Sequence, residues 1–115
     1  MALATNYVNN GDIIDYTNPS SSATIAAGTP ILQGQVFGVT ADPILPSRLG
    51  ALIVRGLVDL PKSTSASTAI AVGAKVYWDA TNSLVTGTAS TNVEIGKCTK
   101  AAADGDALAR VYIRM

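Results

Sequence analysis

The sequence predicts an all-β fold, a small single-domain β-barrel or sandwich with short strands and at most one short helical turn. Two observations predict it. Turn signals recur at short intervals, among them Asn9-Asn10-Gly11-Asp12, Asn18-Pro19-Ser20, Ala27-Gly28-Thr29-Pro30, Ala41-Asp42-Pro43, Thr81-Asn82-Ser83 and Ala103-Asp104-Gly105-Asp106. The runs between them are about four to eight residues long and rich in Val, Ile, Thr and Tyr, the sizes and types of strands rather than helices. At 115 residues the chain has the length of one domain. It is read as a single β domain over 1–115, with residues 1–6 as a candidate N-terminal arm.

Taken in order, the first recognisable feature is an internal echo. Ile25-Ala26-Ala27-Gly28-Thr29-Pro30-Ile31 and Ile70-Ala71-Val72-Gly73-Ala74-Lys75-Val76 share an Ile-Ala-x-Gly-x-x-(Ile/Val) pattern, each entering a strand. A tight glycine turn before a strand is enough to explain it, and the pattern is too short to establish a repeat protein. Gly50 to Leu60 is strongly apolar apart from Arg55 and Gly56, which predicts one strand with a kink or bulge at Gly56, ended by Pro61. Ser63 to Ala69 is hydroxyl-rich and supports one helical turn at most, because hydroxyl side chains compete for the backbone.

Lys75-Val76-Tyr77-Trp78-Asp79, Ala80 to Ser83 and Leu84-Val85-Thr86 read as strand, turn and strand of a hairpin, with Val76 and Trp78 on one face and Tyr77 on the other. Asn92 to Thr99 is another strand, in which Val93 and Ile95 lie opposite Glu94; Cys98 has the parity of Glu94, which leaves its burial open. The last strand, Leu108 to Arg114, alternates most clearly. Ala109, Val111 and Ile113 fall on one side, and Arg110, Tyr112 and Arg114 on the other. Tyr112 there either stacks on the arginines, packs on a neighbouring subunit, or rims a solvated face.

Composition removes several classes of function. The chain has no histidine, one cysteine (Cys98), eight acidic and eight basic residues, and zero net charge. Apolar residues make up 48%, too many for a disordered polyampholyte, and only 14% are charged, against roughly 25% in a typical globular domain. One cysteine allows no intramolecular disulfide framework and no Cys/His zinc set. Without histidine there is no Ser-His-Asp or Cys-His machinery. The eight cations are scattered along the chain and matched by anions, which argues against a nucleic-acid partner. Met1-Ala2-Leu3-Ala4-Thr5-Asn6 lacks the basic and apolar regions of a signal peptide, and the apolar run Leu49 to Val54 is far short of the roughly 20 residues of a membrane helix. Synthesis in the cytoplasm and no membrane partner are therefore expected, in agreement with a lone cysteine.

Gly96-Lys97 is followed by Cys98 instead of Ser or Thr, and Thr91 stands where a phosphate-binding loop needs glycine. No Gly-x-Gly-x-x-Gly run or Gly-x-Ser-x-Gly elbow occurs. Asp104-Gly105-Asp106 is better read as a solvated turn than as a calcium site, which needs six to eight oxygens. Cys98 has only Lys97 and Lys100 close in sequence and no base, so it reads as a small semi-buried apolar residue. Trp78, the only tryptophan, is either a ligand platform or an anchor in the core or a subunit interface; its apolar bulk favours the anchor. Neither a catalytic site nor a metal or other cofactor is expected.

Several landmarks taken together resemble one family, the short phage head proteins described as capsid cement or decoration proteins. They are Asn6-Tyr7-Val8-Asn9-Asn10-Gly11-Asp12, Gly56-Leu57-Val58-Asp59-Leu60-Pro61-Lys62, Gly73-Ala74-Lys75-Val76-Tyr77-Trp78-Asp79, Ile95-Gly96, and Gly105-Asp106-Ala107-Leu108-Ala109-Arg110-Val111. The hydroxyl-rich stretch before Gly73 and the loop Thr40 to Arg48 depart from the family pattern. The resemblance implies a structural virion protein, made in a bacterial host, that binds the outer surface of a capsid between capsomers and stabilises the mature head. Its implied partners are the major capsid protein and further copies of itself, a trimer being favoured. Candidate contacts are Met1, Ala2, Leu3, Ala4 and Thr5 of the arm, Pro43, Ile44, Leu45 and Pro46 of the loop, and Trp78 and Tyr112. Arm and loop expose apolar residues outside clear strands. The competing readings are a phage head or tail fibre module or adaptor, and a small-molecule-binding barrel with a pocket near Trp78.

Overall fold

In the computed structural model the described residues are 11–114, and every regular element among them is a strand. The strands are β1 (Ile13–Thr17), β2 (Pro30–Gln33), β3 (Val36–Thr40), β4 (Leu49–Ile53), β5 (Arg55–Pro61), β6 (Lys75–Asp79), β7 (Leu84–Thr86), β8 (Val93–Lys100) and β9 (Leu108–Arg114). They form two antiparallel sheets, in the orders β1-β4-β3-β2 and β5-β9-β8-β6-β7. The all-β expectation holds in its sandwich form. Beside β7 the residue that follows β5, Lys62, makes only an isolated parallel bridge to Val85, and the second sheet does not close into a barrel.

One local expectation is revised. The apolar run Gly50 to Leu60 is not one kinked strand: it leaves the first sheet after Ile53, passes the fully buried Val54, and enters the second sheet at Arg55. Gly56 does hold a φ of +141°, a conformation that favours glycine, but the change of sheet precedes it. Ser63 to Ala69 makes a turn with Ser67 at a φ of +62° and no helical turn. The Lys75 to Thr86 hairpin and the final strand form where the sequence places them, with apolar residues inward on alternate positions.

The two sheets share one wiring. Substituting β5 for β1, β9 for β4, β8 for β3 and β6 for β2 turns the first strand order into the second, to which β7 is added at the edge. The correspondence extends to single hydrogen bonds. Gly28 N–H donates to Thr40 O at 2.8 Å and Gly73 N–H to Cys98 O at 2.7 Å; Thr40 N–H donates to Thr29 O and Cys98 N–H to Ala74 O. Ile25 bridges Ile44 as Ile70 bridges Ala102, and Pro30 faces Val39 as Lys75 faces Lys97. The echo between Ile25–Ile31 and Ile70–Val76 is thus the legible part of a repeat that spans both sheets. What differs is the link from β2 to β3 and from β6 to β8: a Gly34-Gln35 turn in the first unit, and in the second a longer segment that contributes β7.

The main core lies on the inner face of the second sheet, from Leu60, Val76, Trp78, Val85, Ile95, Cys98, Val111 and Ile113, and the first sheet joins it through Phe37 and Val39. Phe37 meets Trp78 with ring centroids 5.0 Å apart and planes tilted by 47°, a favoured aromatic geometry. Cys98 is buried because β8 carries a bulge: Val76 faces Gly96 and Tyr77 faces Glu94, leaving Ile95 as an extra residue. That reverses the alternation, so Ile95 and Cys98, three apart, both point inward.

Candidate interaction surface

The inward alternation that builds the core also sets out the opposite face of the second sheet. With Leu60, Ala109, Val111 and Ile113 inside, Arg55, Leu57 and Asp59 of β5 and Arg110, Tyr112 and Arg114 of β9 stand outside, joined by Glu94 and Lys97 of β8. Adjacent strands bring Leu57 opposite Tyr112, and Tyr112 opposite Lys97. Leu57 is 63% exposed at this centre.

Polar contacts fix the surrounding side chains. Arg110 grips Asp59 with two bonds, Nε to Oδ1 at 3.0 Å and Nη2 to Oδ2 at 3.2 Å. The hydrogen bond from Arg110 holds the Asp59 carboxyl below the usual carboxylate range, and the same bond raises the Arg110 guanidinium. Arg55 Nε donates to the Tyr112 hydroxyl at 3.3 Å and its Nη1 lies 3.9 Å from Asp12, linking the outer faces of the two sheets. The hydrogen bond to Tyr112 raises the Arg55 guanidinium. Lys97 lies 3.7 Å from Glu94. At the end of β6 Asp79 is lowered chiefly by the side chain of Asn82, and it also accepts from the backbone of Thr81.

The candidate contacts of the sequence reading fall in different places. Met1 to Thr5 lie outside the described residues. In the loop, Pro43 and Leu45 are exposed and Pro46 is half-buried, but Ile44 is buried, because it bridges Ile25 and packs over Gly50, where any Cβ would collide with it. Trp78 is also interior, against Phe37, so neither residue offers a contact surface. Tyr112 is half-buried on the outer face described above. The sequence reading did not single out Leu57, Arg55 or the Asp59–Arg110 pair. Period-two alternation from Arg55 to Asp59 carries that signal, since Arg55, Leu57 and Asp59 share a parity opposite Leu60.

Among the described residues no group of three or more His, Cys, Asp or Glu side chains could hold a metal, and no helix is long and apolar enough to cross a membrane. The model of the phage cement protein family matches residues 8–114. The chain belongs to the phage cement protein family. No curated protein and no solved structure gives a match. The match takes in both wiring units, and the cement family is a structural one. The chain is therefore a component of a phage virion that associates with the capsid.

Proposed function

We propose that this cement protein binds the outer surface of the phage capsid at the junctions between capsomers, bridges neighbouring major capsid protein subunits, and stabilises the mature head. The observation that carries the reading is the family match over residues 8–114, the whole of the two-sheet fold. Exposed apolar side chains add support: Leu45 in the loop, and Leu57 and Leu108 on the second sheet, are each more than half exposed.

The mechanism is mass action. Contacts present only in the mature lattice favour that lattice, by about 2.7 kcal/mol per site when free protein stands at a hundred times its dissociation constant. An oligomer, the trimer being the favoured form, engages several coat subunits at once, so weak individual contacts add through effective concentration. The arm Met1 to Thr5 and the exposed loop residues Pro43 and Leu45 are the proposed capsid-facing anchors.

Purified heads lacking the protein test this. Added protein is expected to co-sediment with the heads and to raise their survival of heat and osmotic shock. Removal of residues 1–5 is expected to weaken binding. Density confined to the tail in electron micrographs of labelled protein would instead establish a fibre module or adaptor.

A further inference from the structure

The basic residues are scattered in sequence, yet six of the eight, Arg55, Lys75, Lys97, Lys100, Arg110 and Arg114, stand exposed on strands of the second sheet. They face outward, because Val76, Trp78, Cys98, Ala109, Val111 and Ile113 point in. Three carboxylates, Asp59, Asp79 and Glu94, lie on the same strands, a surplus of three positive charges (six minus three) in a chain whose net charge is zero.

The arrangement works against stability. Arg55 lies opposite Arg114, Lys75 opposite Lys97, and Lys100 opposite Arg110. Like charges directly opposed on neighbouring strands destabilise a sheet. Carboxylates offset part of this, Asp12 beside Arg55, Glu94 beside Lys97 and Asp59 beside Arg110, while among the described residues Lys75 and Arg114 form no ion pair. Nor does the wiring demand cations. In the first unit the position of Lys75 opposite Lys97 is held by Pro30 opposite Val39, and that of Tyr112 opposite Lys97 by Ile53 opposite Val39.

We propose that the outer face of β5, β9, β8 and β6 is the docking face for an acidic protein surface, which, on the function proposed above, belongs to the coat lattice. Leu57, Tyr77 and Tyr112 supply an apolar and aromatic centre within the cations, the anatomy of a protein interface, in which tyrosine and arginine carry much of the affinity. A phosphate backbone fits less well, because it offers nothing apolar to set against Leu57, Tyr77 and Tyr112, as a protein surface does. Opposite charge on the coat gives docking its speed and register.

The test reverses one member of two opposed pairs, as Lys75→Glu and Arg114→Glu, singly and together. Gln33→Glu, which adds a negative charge at an exposed position on β2 of the first sheet, is the control. Lys75→Gln with Arg114→Gln removes the charges without reversing them and serves if the double reversal fails to fold. Binding is measured to heads lacking the protein, to poly-L-glutamate and to a DNA duplex, each across a salt series. The double variant is expected to bind heads and poly-L-glutamate at least about ten-fold more weakly, with the control unchanged. Each single reversal creates an opposite-charge pair, so melting temperature is expected to hold or rise while binding falls.

Unchanged binding of the double variant to heads overturns the docking face and leaves the capsid role standing. Wild-type protein that ignores heads yet is held by poly-L-glutamate through Lys75 and Arg114 supports the acidic-protein face and removes the capsid role. Tighter binding to DNA than to poly-L-glutamate overturns the partner class. A light-scattering mass that falls in the double variant assigns the face to a second copy and likewise overturns the proposal.

Discussion

Lys62 is the sharpest test of how the second unit is held together. It follows β5, is only 4% exposed, and its Nζ donates to Ser63 O at 2.6 Å, Thr68 Oγ1 at 3.0 Å and Asp104 O at 3.1 Å. Lys62→Met keeps a stem of similar length and removes all three donors. The Thr68 hydroxyl also reaches Ser63 O, Ser65 O and Asp104 O, but with one proton it can satisfy only one of them. A buried acceptor left unpaired costs about 1–3 kcal/mol, so two carbonyls partly relieved by Thr68 and water put the loss at about 2–4 kcal/mol. At an unfolding entropy of roughly 2.1 cal/mol/K per residue, that lowers the melting temperature of a 115-residue chain by about 8–17 °C. Circular dichroism at fixed protein concentration reads the shift, and urea unfolding gives the free energy independently. A shift under about 2 °C, well below what the lost bonds require, would refute the reasoning and show that water replaces the ammonium at little cost.

Glycine packing gives a graded series: a Cβ on Gly96 would collide with the Tyr112 carbonyl, whereas Gly28 has open space but a φ of +79°. Gly96→Ala is therefore expected to cost about 3 kcal/mol and Gly28→Ala about 1 kcal/mol in urea unfolding, and equal effects would contradict the close approach of β8 to β9. Asp59 and Asp79 are both held below the unfolded carboxylate value, so the stability they contribute is complete above that value and is lost as pH falls through their lower folded values. Unfolding measured across an acid pH series is expected to flatten in Asp59→Asn and Asp79→Asn, with the Asp59 effect reduced by salt because the pair with Arg110 is exposed. Cys98 is 1% exposed with Sγ 3.0 Å from Lys100 O, so a thiol reagent is expected to leave folded protein unmodified and to label one thiol per chain after unfolding.

Much of the fold was legible because a half-buried strand writes its two faces into alternate residues. Ala109, Val111 and Ile113 against Arg110, Tyr112 and Arg114 is such a case, as is Val76 and Trp78 against Tyr77. Three features were not legible, each because it depends on a partner strand. The bulge at Ile95 that turns Cys98 inward is set by how β8 pairs with β6. The passage between sheets at Val54 lies within an unbroken apolar run, where periodicity carries no boundary. Ile44 sits between two prolines and looks like an exposed loop residue; only the missing side chain of Gly50 shows the space it fills. The repeat was half legible, since the glycine turns share a sequence pattern while the matching strands do not.

The candidate surface shows why a residue count misjudged the electrostatics. Net charge sums over the chain, but a partner reads one face, and strand pairing collects Arg55, Lys75, Lys97 and Arg114 from four separate stretches of sequence. The repeat supplies the contrast that gives this collection meaning. In the first unit the corresponding face is apolar at Val39, which together with Phe37 is spent inside the molecule against the core around Trp78. In the second unit nothing in the described chain covers that face, and it carries cations opposed in pairs. Carboxylates stand beside one cation of each opposed pair, Asp12 at Arg55, Glu94 at Lys97 and Asp59 at Arg110, and among the described residues leave Lys75 and Arg114 without an ion pair. On the docking proposed above, an acidic partner set opposite Lys75 and Arg114 supplies the counter-charge that these two lack, so binding and the electrostatic relief of the sheet go together.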